Sequence, residues 1–506
     1  MKISLIILLL VSCLYNAVAQ DMNSIWIFGD SAGIDFRNTA IPIPISSSID
    51  SRGSCVSISD SSGNLKLYAA TLHYLNNDWD TRIFNSNNQI VPGCDSITGQ
   101  NWYAELIILP KPGTSDQYYL FSVGIDGTNN GGCYYSIVDK SLNSGQGGML
   151  AQNIQINNAV SGDCLTAVKH GNGRDWWVIN KLSTHTTSSH LNRFYVYYFT
   201  EDSVYAPQVQ DLFGASDADV QKIIWTSLGE KFMLINPAGY MSEFNFDRCT
   251  GTITLARNIF SEQTSNYNRY FWEGSYSPSD EIFYVSTAPV YNTDSLYLLQ
   301  YDLNALDIPL SCDTLDRFFN PVLSGAVRLG PDNKIYFSRY YNWGFPYYPY
   351  PDSVRNYVNE NLSVINNPDS LGSSCDYQPF SFDLGGKRTY HGLPNNPNYS
   401  LGPLTGSLCD TIVAATNEIY ERHGIILISP NPASNVVYIN SKYLKGTVAD
   451  IKVFNSVGKC VYEQRLEVYP GGYATIGMNV SSFTKGMYVV SLQTQKEILY
   501  GKLIKE

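Results

Sequence analysis

A run of aromatic residues is the strongest sign of ligand chemistry in this chain. The run covers residues 340 to 351 and is interrupted by prolines, so it does not suit a central strand and is expected to form a loop. Rings with polar ends are suited to stacking on sugars or peptide segments. We therefore expect this loop to bind a ligand, the alternative being that its rings pack on one another and stiffen it. The candidate ligand-binding residues are Tyr340, Tyr341, Trp343, Phe345, Tyr347, Tyr348 and Tyr350.

The signatures of common hydrolases are absent from the sequence. It contains no H-E-x-x-H, no G-x-S-x-G and no P-loop, the patterns typical of metalloproteases, esterases and NTPases. Two carboxylates could hydrolyse a glycoside, but this requires a separation in space that the sequence does not supply. The sequence therefore favours a binding protein over an enzyme, and it identifies no catalytic residue.

Metal chemistry has weaker support. Residues 126–132 and 217–219 are rich in oxygen donors and could hold Ca²⁺, although turns explain both segments more simply. His185 and His190 are separated by Thr and Ser, which suits a polar loop better than a metal site. No C-x-x-C occurs, so the zinc signature is missing. We expect no metal or cofactor, with calcium as the one alternative.

Composition restricts the class of protein further. The net charge is −12 and no basic run occurs, which argues against nucleic-acid binding. A charged fraction of 15% with 38 Tyr, 39 Gly and 23 Pro favours many short strands and turns. Of the ten cysteines, eight lie between Cys55 and Cys409; in an oxidising compartment some of these can pair, but their spacing does not define the connectivity.

Apolar, aromatic-rich strands recur along the middle of the chain. They are expected at residues 65–68, 117–121, 175–179, 231–235, 281–285 and 334–338, about 50 to 60 residues apart, and a polar turn opens most of them. Such a period is typical of β-propeller blades. Six units are visible, and we expect strands 25–29 and 379–384 to meet in a closing seventh blade. A pair of stacked β-sandwiches is the alternative.

The last part of the chain has the pattern of a small β-sandwich. Pro430 and Pro432 each fix a φ angle and remove a backbone donor, so the chain enters a sheet from an extended edge. Apolar residues then alternate at period two, as at Tyr488 and Val490, and turn residues separate the strands.

This tail resembles the C-terminal sorting domain of the bacterial type IX secretion system. The elements that match are a P-N-P-A entry, an F-N-S-V-G-K hairpin, an N-V-S-S-F segment, a K-G-M-Y-V-V strand and a Lys-containing end. The resemblance implies export across the outer membrane and an interaction with the secretion machinery; an immunoglobulin-like module without a sorting role is the alternative. The residues assigned to the sorting signal are Pro430, Asn431, Pro432, Gly458, Lys459, Gly486, Tyr488 and Lys505.

The N-terminal segment is consistent with export. Lys2 precedes an apolar run, and Ala17-Val18-Ala19 is an A-x-A cleavage signal, so residues 1–19 are expected to be a signal peptide. A competing interpretation is a lipobox ending at Cys13. No later segment has the roughly 20 apolar residues that a membrane span needs.

The larger region resembles secreted Bacteroidetes propeller proteins, some of them associated with gliding motility. The match rests on W-I-F-G-D at residues 26–30, on residues 54–65 and 134–139, and on H-G-L-P-N at 391–395. The resemblance implies architecture and surface location, and it supplies no ligand.

We therefore expect an all-β chain with a signal peptide (1–19), a β-propeller of seven blades (20–412), a linker (413–424) and an immunoglobulin-like sorting domain (425–506). The expected function is adhesion or capture of a surface glycan or protein; a secreted hydrolase with carboxylates in the propeller funnel is the alternative.

Overall fold

The chain divides into two compact units, Met1–Val413 and Ala414–Glu506. The structure is a computed structural model. It describes residues 20–72, 80–99, 103–124, 131–159, 161–182, 191–213, 220–261, 270–288, 295–341, 356–410, 425–442, 448–468, 474–496 and 498–506.

The chain is all-β, and the described part of its first unit contains seven sheets of three or four strands. Within each sheet, every strand pairs in antiparallel fashion with the next one along the chain. Sheet 1 contains β1 (Ile25–Phe28), β2 (Asp30–Asp35) and β3 (Ile43–Asp50), and sheet 2 contains β4 (Cys55–Ser59), β5 (Leu65–Leu72) and β6 (Asp80–Asn85). Sheet 3 contains β7 (Leu106–Pro110), β8 (Gln117–Gly124), β9 (Gly132–Asp139) and β10 (Gly148–Asn157).

The next four sheets have four strands each. Sheet 4 contains β11 (Thr166–Lys169), β12 (Trp176–Lys181), β13 (Leu191–Phe199) and β14 (Gln208–Phe213), and sheet 5 contains β15 (Lys222–Trp225), β16 (Lys231–Ile235), β17 (Met241–Phe246) and β18 (Ile253–Phe260). Sheet 6 contains β19 (Phe271–Tyr276), β20 (Ile282–Thr287), β21 (Ser295–Asp302) and β22 (Asp313–Phe319), and sheet 7 contains β23 (Val322–Leu329), β24 (Ile335–Tyr341), β25 (Asn361–Ile365) and β26 (Tyr377–Asp383). Short helical turns lie at Gln20–Asn23, Leu142–Gly145, Pro309–Ser311, Asn356–Glu360 and Gly372–Cys375.

The six strands expected from the repeat are all present, and each is the second strand of its sheet. They are β5, β8, β12, β16, β20 and β24. The turn before each of them contains a residue with positive φ, a conformation that Gly, Asp and Asn tolerate best. These residues are Gly63, Gly113, Gly173, Gly229, Asp280 and Asn333, and Gly29 has the same role before β2 in sheet 1. The repeated unit in the sequence is therefore the hairpin formed by the first two strands of each sheet, whose turn contains a residue in the left-handed conformation.

The expected pairing of strands 25–29 and 379–384 in one blade is wrong. β1 pairs with β2, its neighbour in sequence, and β26 pairs with β25. Local hairpins close shorter loops and so cost less chain entropy than pairing the two ends. The ends meet instead through a single bridge, in which the Asp30 N–H donates to the Arg388 carbonyl at 2.8 Å.

Aromatic rings fill the space between neighbouring sheets. Phe194 of sheet 4 lies 6.0 Å from Phe232 of sheet 5, measured between ring centroids. Trp26 of sheet 1 lies 5.8 Å from Tyr336 of sheet 7, and one buried cluster combines residues of sheets 1, 2 and 7. Sheet 1 therefore packs against both the second sheet and the last.

The second unit consists of two sheets around one core. The first contains β27 (Ile425–Ser429), β28 (Val436–Lys442) and β31 (Ala474–Asn479), and the second contains β29 (Val448–Phe454), β30 (Cys460–Glu467), β32 (Gly486–Gln493) and β33 (Ile498–Lys505). Val437 and Ile439 of the first sheet share a buried cluster with Ile451, Val453 and Val490 of the second. The unit is therefore a small β-sandwich.

Candidate functional site

Residues 389–410, here called the strap, follow the last strand of sheet 7 and run across the first strands of several other sheets. The Asn395 N–H donates to the Cys55 carbonyl of sheet 2 at 2.9 Å. The Asn395 amide nitrogen donates to the carbonyls of Leu106 in sheet 3, at 3.2 Å, and of Leu165 beside sheet 4, at 3.0 Å. The Tyr399 hydroxyl donates to the Ile108 carbonyl at 2.9 Å. One short segment thus ties together strands that are far apart in sequence.

A disulfide fixes the far end of the strap. It joins Cys249, in the turn between β17 and β18, to Cys409. The Leu404 N–H also donates to the Gly171 carbonyl at 2.8 Å, and the Arg248 guanidinium donates to the Gly402 carbonyl at 2.8 Å. The strap is therefore held at both ends, covalently at one of them.

A cavity of about 340 Å³ lies between the strap and the ends of the first strands of sheets 4 to 7. Trp225, Tyr276 and Arg328 line it from the strands, and Asn396 and Asn398 line it from the strap. Its volume falls in the range of small-molecule sites. The cavity combines aromatic rings, amides and a charged group in one place.

Packing holds the Trp225 ring in position. Its indole nitrogen donates to the Thr166 hydroxyl at 2.8 Å, and its ring lies 5.1 Å from Phe232 and 5.2 Å from Phe246. A ring fixed on three sides loses little rotamer entropy when a ligand stacks on it. Trp225 is thus suited to act as a preorganised contact.

The carboxylate at the cavity is engaged within the protein. Asp280 accepts hydrogen bonds from the Ser227 N–H at 2.8 Å and from the Ser227 hydroxyl at 2.6 Å. Burial raises the pKa of Asp280, and the hydrogen bonds from Ser227 oppose that shift. Among the cavity-lining residues in the described part of the chain there is no second carboxylate.

A chain of buried ion pairs extends from the cavity into the protein. The Arg328 guanidinium lies 3.1 Å from Glu273, and Glu273 lies 3.3 Å from the Lys222 ammonium. Lys222 lies 3.1 Å from Asp163, which also accepts the Ala104 N–H at 2.5 Å. Burial lowers the pKa of Lys222, but the charges of Asp163 and Glu273 outweigh this and leave the pKa above its usual value.

Aromatic residues enclose the inner end of this ion-pair chain. The His391 ring lies 3.7 Å from Tyr340 and 4.8 Å from Tyr103, and Tyr103 lies 5.0 Å from Trp272. Burial, together with the charges of Arg52 and Lys222, holds the pKa of His391 well below its usual value. The buried Nδ1 atom of His391 has no hydrogen-bond partner in the described part of the chain.

Two of the predicted ligand-binding residues are located by the structure. Tyr340 and Tyr341 end β24 and are buried, and Tyr341 pairs with Val322 at the opposite end of β23 from Leu329, which lines the cavity. The cavity and the start of the aromatic run are therefore at opposite ends of sheet 7. Trp343, Phe345, Tyr347, Tyr348 and Tyr350 lie outside the described residues.

A second pair of carboxylates lies where the ends of the first unit meet. Asp30 and Asp50 are opposite each other on β2 and β3, and Asp30 forms an ion pair with Arg388. Burial and the charge of Asp30 raise the pKa of Asp50 to about 7, although Arg388 lowers it. Neither aspartate lines the cavity.

The candidate metal segments are not located. Residues 126–130 and 217–219, like His185 and His190, lie outside the described residues. Within the described ranges, no group of three or more His, Cys, Asp or Glu residues is placed to hold a metal ion. In the same ranges, no helix has the length and apolar character needed to cross a membrane.

The residues assigned to the sorting signal occupy turns and edges of the β-sandwich. The Asn431 amide donates to the Lys502 carbonyl at 2.7 Å and its oxygen accepts the Ile504 N–H at 2.8 Å, so the loop between Pro430 and Pro432 is attached to β33. Lys505 lies at the end of β33 and forms a bridge with Ala433.

Of the remaining sorting residues, two lie in a hairpin turn and two lie in the first part of β32. Gly458 has φ +79° in the turn between β29 and β30, and the Lys459 N–H donates to the Asn455 side chain at 2.9 Å. Gly486 has φ +147° at the start of β32. The buried Tyr488 donates from its hydroxyl to the Thr484 carbonyl at 2.7 Å.

Comparison with known proteins identifies the second unit. Residues 427–506 match the family model described as a secretion system C-terminal sorting domain. This tail, of the type IX class, marks the chain for export to the cell surface or for secretion and implies an interaction with the type IX machinery. No curated protein matches the chain.

Several solved structures are similar to the chain at low identity. The periplasmic gluconolactonase PpgL of Pseudomonas aeruginosa is 10% identical, with 84% of this chain and 99% of that chain covered and a TM-score of 0.38. The β-propeller domain of Myceliophteria thermophila Cps50 (Swd1) is 13% identical, with 68% and 90% covered and a TM-score of 0.34. TolB from Acinetobacter baumannii is 10% identical, with 63% of each chain covered and a TM-score of 0.29.

Sequence reasoning did not identify the cavity residues. Trp225, Asp280 and Arg328 come from three different repeats, and each lies at the end of a first strand or in the turn after it. The one usable signal was the polar segment Asn395–Ser400 after the last strand, where three asparagines occur without a strand pattern.

Proposed function

We propose that the first unit is a seven-bladed β-propeller in which sheets 1 to 7 are the blades. Several observations support this proposal. Neighbouring first strands lie side by side, as β1 does with β4 and β19 with β23. Sheet 1 also packs against sheet 7, which would close a ring in which every blade has a neighbour on both faces. In this architecture the cavity and the ion-pair chain line the central channel, and the strap crosses one of its mouths.

The proposed activity is that of a secreted or cell-surface binding module, which acts in adhesion or in capture of a glycan or protein. The observation that carries the proposal is the cavity itself, because it combines the fixed Trp225 ring, the Asn23 amide and the Arg328 guanidinium in one pocket. Pockets with a few convergent polar groups beside aromatic rings are the usual form of a ligand site. The aromatic run of residues 340–351 is proposed as a second contact surface.

Binding explains this site better than hydrolysis does. A glycosidase requires two carboxyl groups that flank the scissile bond, whereas the cavity presents Asp280 alone and Ser227 already occupies it. Asp163 and Glu273 of the ion-pair chain are buried and already paired with Lys222 and Arg328. Asp30 and Asp50 are another pair of close carboxyl groups, and the pKa of Asp50 is raised. Arg388 engages Asp30, which leaves that pair suited to joining the chain ends.

The remaining proposals concern processing and lineage. Residues 1–19 are proposed to be a cleaved signal peptide, residues 413–424 a linker, and residues 425–506 an immunoglobulin-like sorting domain. The resemblance to Bacteroidetes gliding-motility propellers supports the lineage, and surface display agrees with the sorting tail.

A glycan and surface-protein array tests the proposed function. The exported protein is applied alongside Trp225→Leu, which removes the indole contact, and Tyr205→Leu, a control at an exposed ring outside the cavity. We expect a reproducible set of ligands whose affinity falls roughly tenfold in Trp225→Leu and is unchanged in the control. Silence of the wild-type protein across the array would contradict the proposal.

A further inference from the structure

Most polar side chains of the cavity already have partners inside the protein. Asp280 accepts from Ser227, and the Asn395 amide donates to two backbone carbonyls. Asn398 donates to the Ser227 carbonyl at 3.0 Å and accepts from the Ser400 hydroxyl at 2.6 Å. Asn396 accepts the Ser57 N–H at 2.9 Å. These groups shape the cavity and leave little hydrogen-bonding capacity for a ligand.

Arg328 keeps hydrogen-bond donors for a ligand. A guanidinium has five N–H groups, and in the described part of the chain the polar partner of Arg328 is Glu273, which its Nη1 atom approaches at 3.1 Å. Its side chain is 19% exposed and lines the cavity. Arg328 therefore brings a partly exposed guanidinium with unused donors to the lining of the cavity.

Asn23 supplies a second donor on the same cavity. Its oxygen accepts from the Trp26 indole at 3.0 Å and from the Asn396 amide at 2.7 Å. These two bonds fix the orientation of the amide, so its NH₂ group is the free end, and Asn23 also lines the cavity. The capacity that remains is thus dominated by donors, one of them cationic.

Arg328 shares its carboxylate partner with a second cation. Glu273 is shared between Arg328 and Lys222, and the second partner of Lys222 is Asp163. Arg328 is the end member of this chain of ion pairs, and among the described residues Glu273 is the one carboxylate with which it forms an ion pair. A guanidinium in such a position forms its strongest bonds with carboxylate or phosphate oxygens, which can accept two N–H groups at once.

We propose that the cavity binds a small ligand through an anionic oxygen group, a carboxylate or a phosphate, with the Arg328 guanidinium as charge partner and the Asn23 amide as a second donor. The inference rests on the proposed binding function and adds the chemical class of the ligand. Trp225 provides the ring surface for the rest of the ligand, so an acidic sugar unit matches both features.

Three probes that share one sugar ring test this assignment. Glucuronate, glucose 6-phosphate and glucose are titrated into the full exported protein by isothermal calorimetry. Glucuronate and glucose 6-phosphate carry an anionic group and glucose does not, so the expected result is binding of at least one anionic probe and at least roughly tenfold weaker binding of glucose. Comparison of the two anionic probes distinguishes a carboxylate ligand from a phosphate ligand.

Substitutions at Arg328 and Asn23 test whether the anionic probe binds in the cavity. Arg328→Gln is expected to weaken the anionic probe roughly ten- to hundredfold, and Arg328→Lys to recover part of the loss because it retains the charge. Asn23→Asp keeps an oxygen for Trp26 and Asn396 but places a negative charge beside the ligand, so it should also weaken the anionic probe. Arg317→Gln removes an exposed cation that does not line the cavity and should change nothing. Thermal unfolding of each variant shows whether it is folded.

Three results would overturn the assignment. Equal binding of glucose and the anionic probes would mean that the cavity does not select for charge, and the proposed binding function would stand. Anion binding that Arg328→Gln and Asn23→Asp leave intact would place the anion elsewhere. Absence of binding by all three probes also contradicts the assignment; the array then decides separately whether the chain binds a ligand.

Discussion

The two ends of the ion-pair chain in the first unit differ in what surrounds them. At the inner end, Lys222 is buried between Asp163 and Glu273, and the rings of Tyr103, Tyr340 and His391 lie close by. At the outer end, Arg328 shares one carboxylate and faces a cavity. The same type of contact therefore serves two purposes, since a fully enclosed cation neutralises buried carboxylates and a partly enclosed one is available to a ligand.

The largest expected effect on stability comes from removing Lys222, at the buried end of the ion-pair chain. Lys222→Ala would leave Asp163 and Glu273 buried beside each other without their shared cation, so the free energy of unfolding should fall by about 3–5 kcal/mol. Urea denaturation followed by tryptophan fluorescence measures the change. Lys231→Ala is the matched control, because Lys231 is 47% exposed and its partner Glu243 keeps Arg257 at 2.9 Å. A loss from Lys222→Ala as small as that of the control, below about 1 kcal/mol, would show that the enclosed end does not stabilise the fold.

Neutralising the buried carboxyl of Asp50 should have the opposite effect to removing Lys222, namely an increase in the stability of the fold. The pKa of Asp50 is raised to about 7, above the usual value near 3.8, because of burial and the charge of Asp30. The folded protein holds the Asp50 proton more tightly than the unfolded protein does. Asp50 therefore lowers the stability of the protein progressively as pH rises from about 4 to 7, and the full loss applies above that range. Asp50→Asn should therefore stabilise the protein by about 2–4 kcal/mol at pH 8 and by little at pH 4.

Thermal unfolding of both proteins across that pH range tests the sign. A gain that is the same at pH 4 and at pH 8 would mean that the benefit comes from packing and not from removal of the titrating group. Asp383→Asn, on an exposed position of the neighbouring strand β26, provides the control for a change of net charge.

The smallest expected effect concerns the tail. Asn431→Ala removes the amide bonds to Lys502 and Ile504, and because these bonds are exposed the sandwich should lose only about 1 kcal/mol. The measurement is unfolding of the exported protein monitored in the second unit, together with the fraction of protein displayed on the cell surface. Asn479→Ala, which removes a local turn contact to Ser481, is a control for loss of an asparagine. Destabilisation by several kcal/mol would mean that the P-N-P segment contributes much more to the sandwich than two exposed bonds.

Local features of the fold could be predicted from the sequence, and the cavity could not. An apolar strand preceded by a residue that tolerates positive φ, such as Gly63 or Asn333, is encoded within a few neighbouring residues. The tail could be recognised for the same reason, because its turns and edges lie within one short segment. The seven sheets were expected, but the expectation that the two chain ends pair in one blade was wrong, since either hairpins or a shared blade satisfies the same strand pattern.

The cavity depends on contacts between distant residues. Arg328 looks like an ordinary residue in an apolar strand, and Asn395 looks like a turn residue; their roles appear only when the strap crosses strands that precede it by more than two hundred residues. The disulfide between Cys249 and Cys409 spans 160 residues, which spacing alone could not reveal. In these cases the residue type shows which contacts a side chain can make, but only the three-dimensional fold shows which partners it meets.

The most direct test of the proposed ligand site is a crystal structure of the exported protein with the strongest array ligand bound. The account predicts the ligand in the cavity beneath the strap, with an acceptor oxygen within hydrogen-bond distance of the Arg328 guanidinium and a ring or chain against Trp225. A ligand bound at the opposite face beside Tyr340 and Tyr341, with the cavity unoccupied, would contradict it.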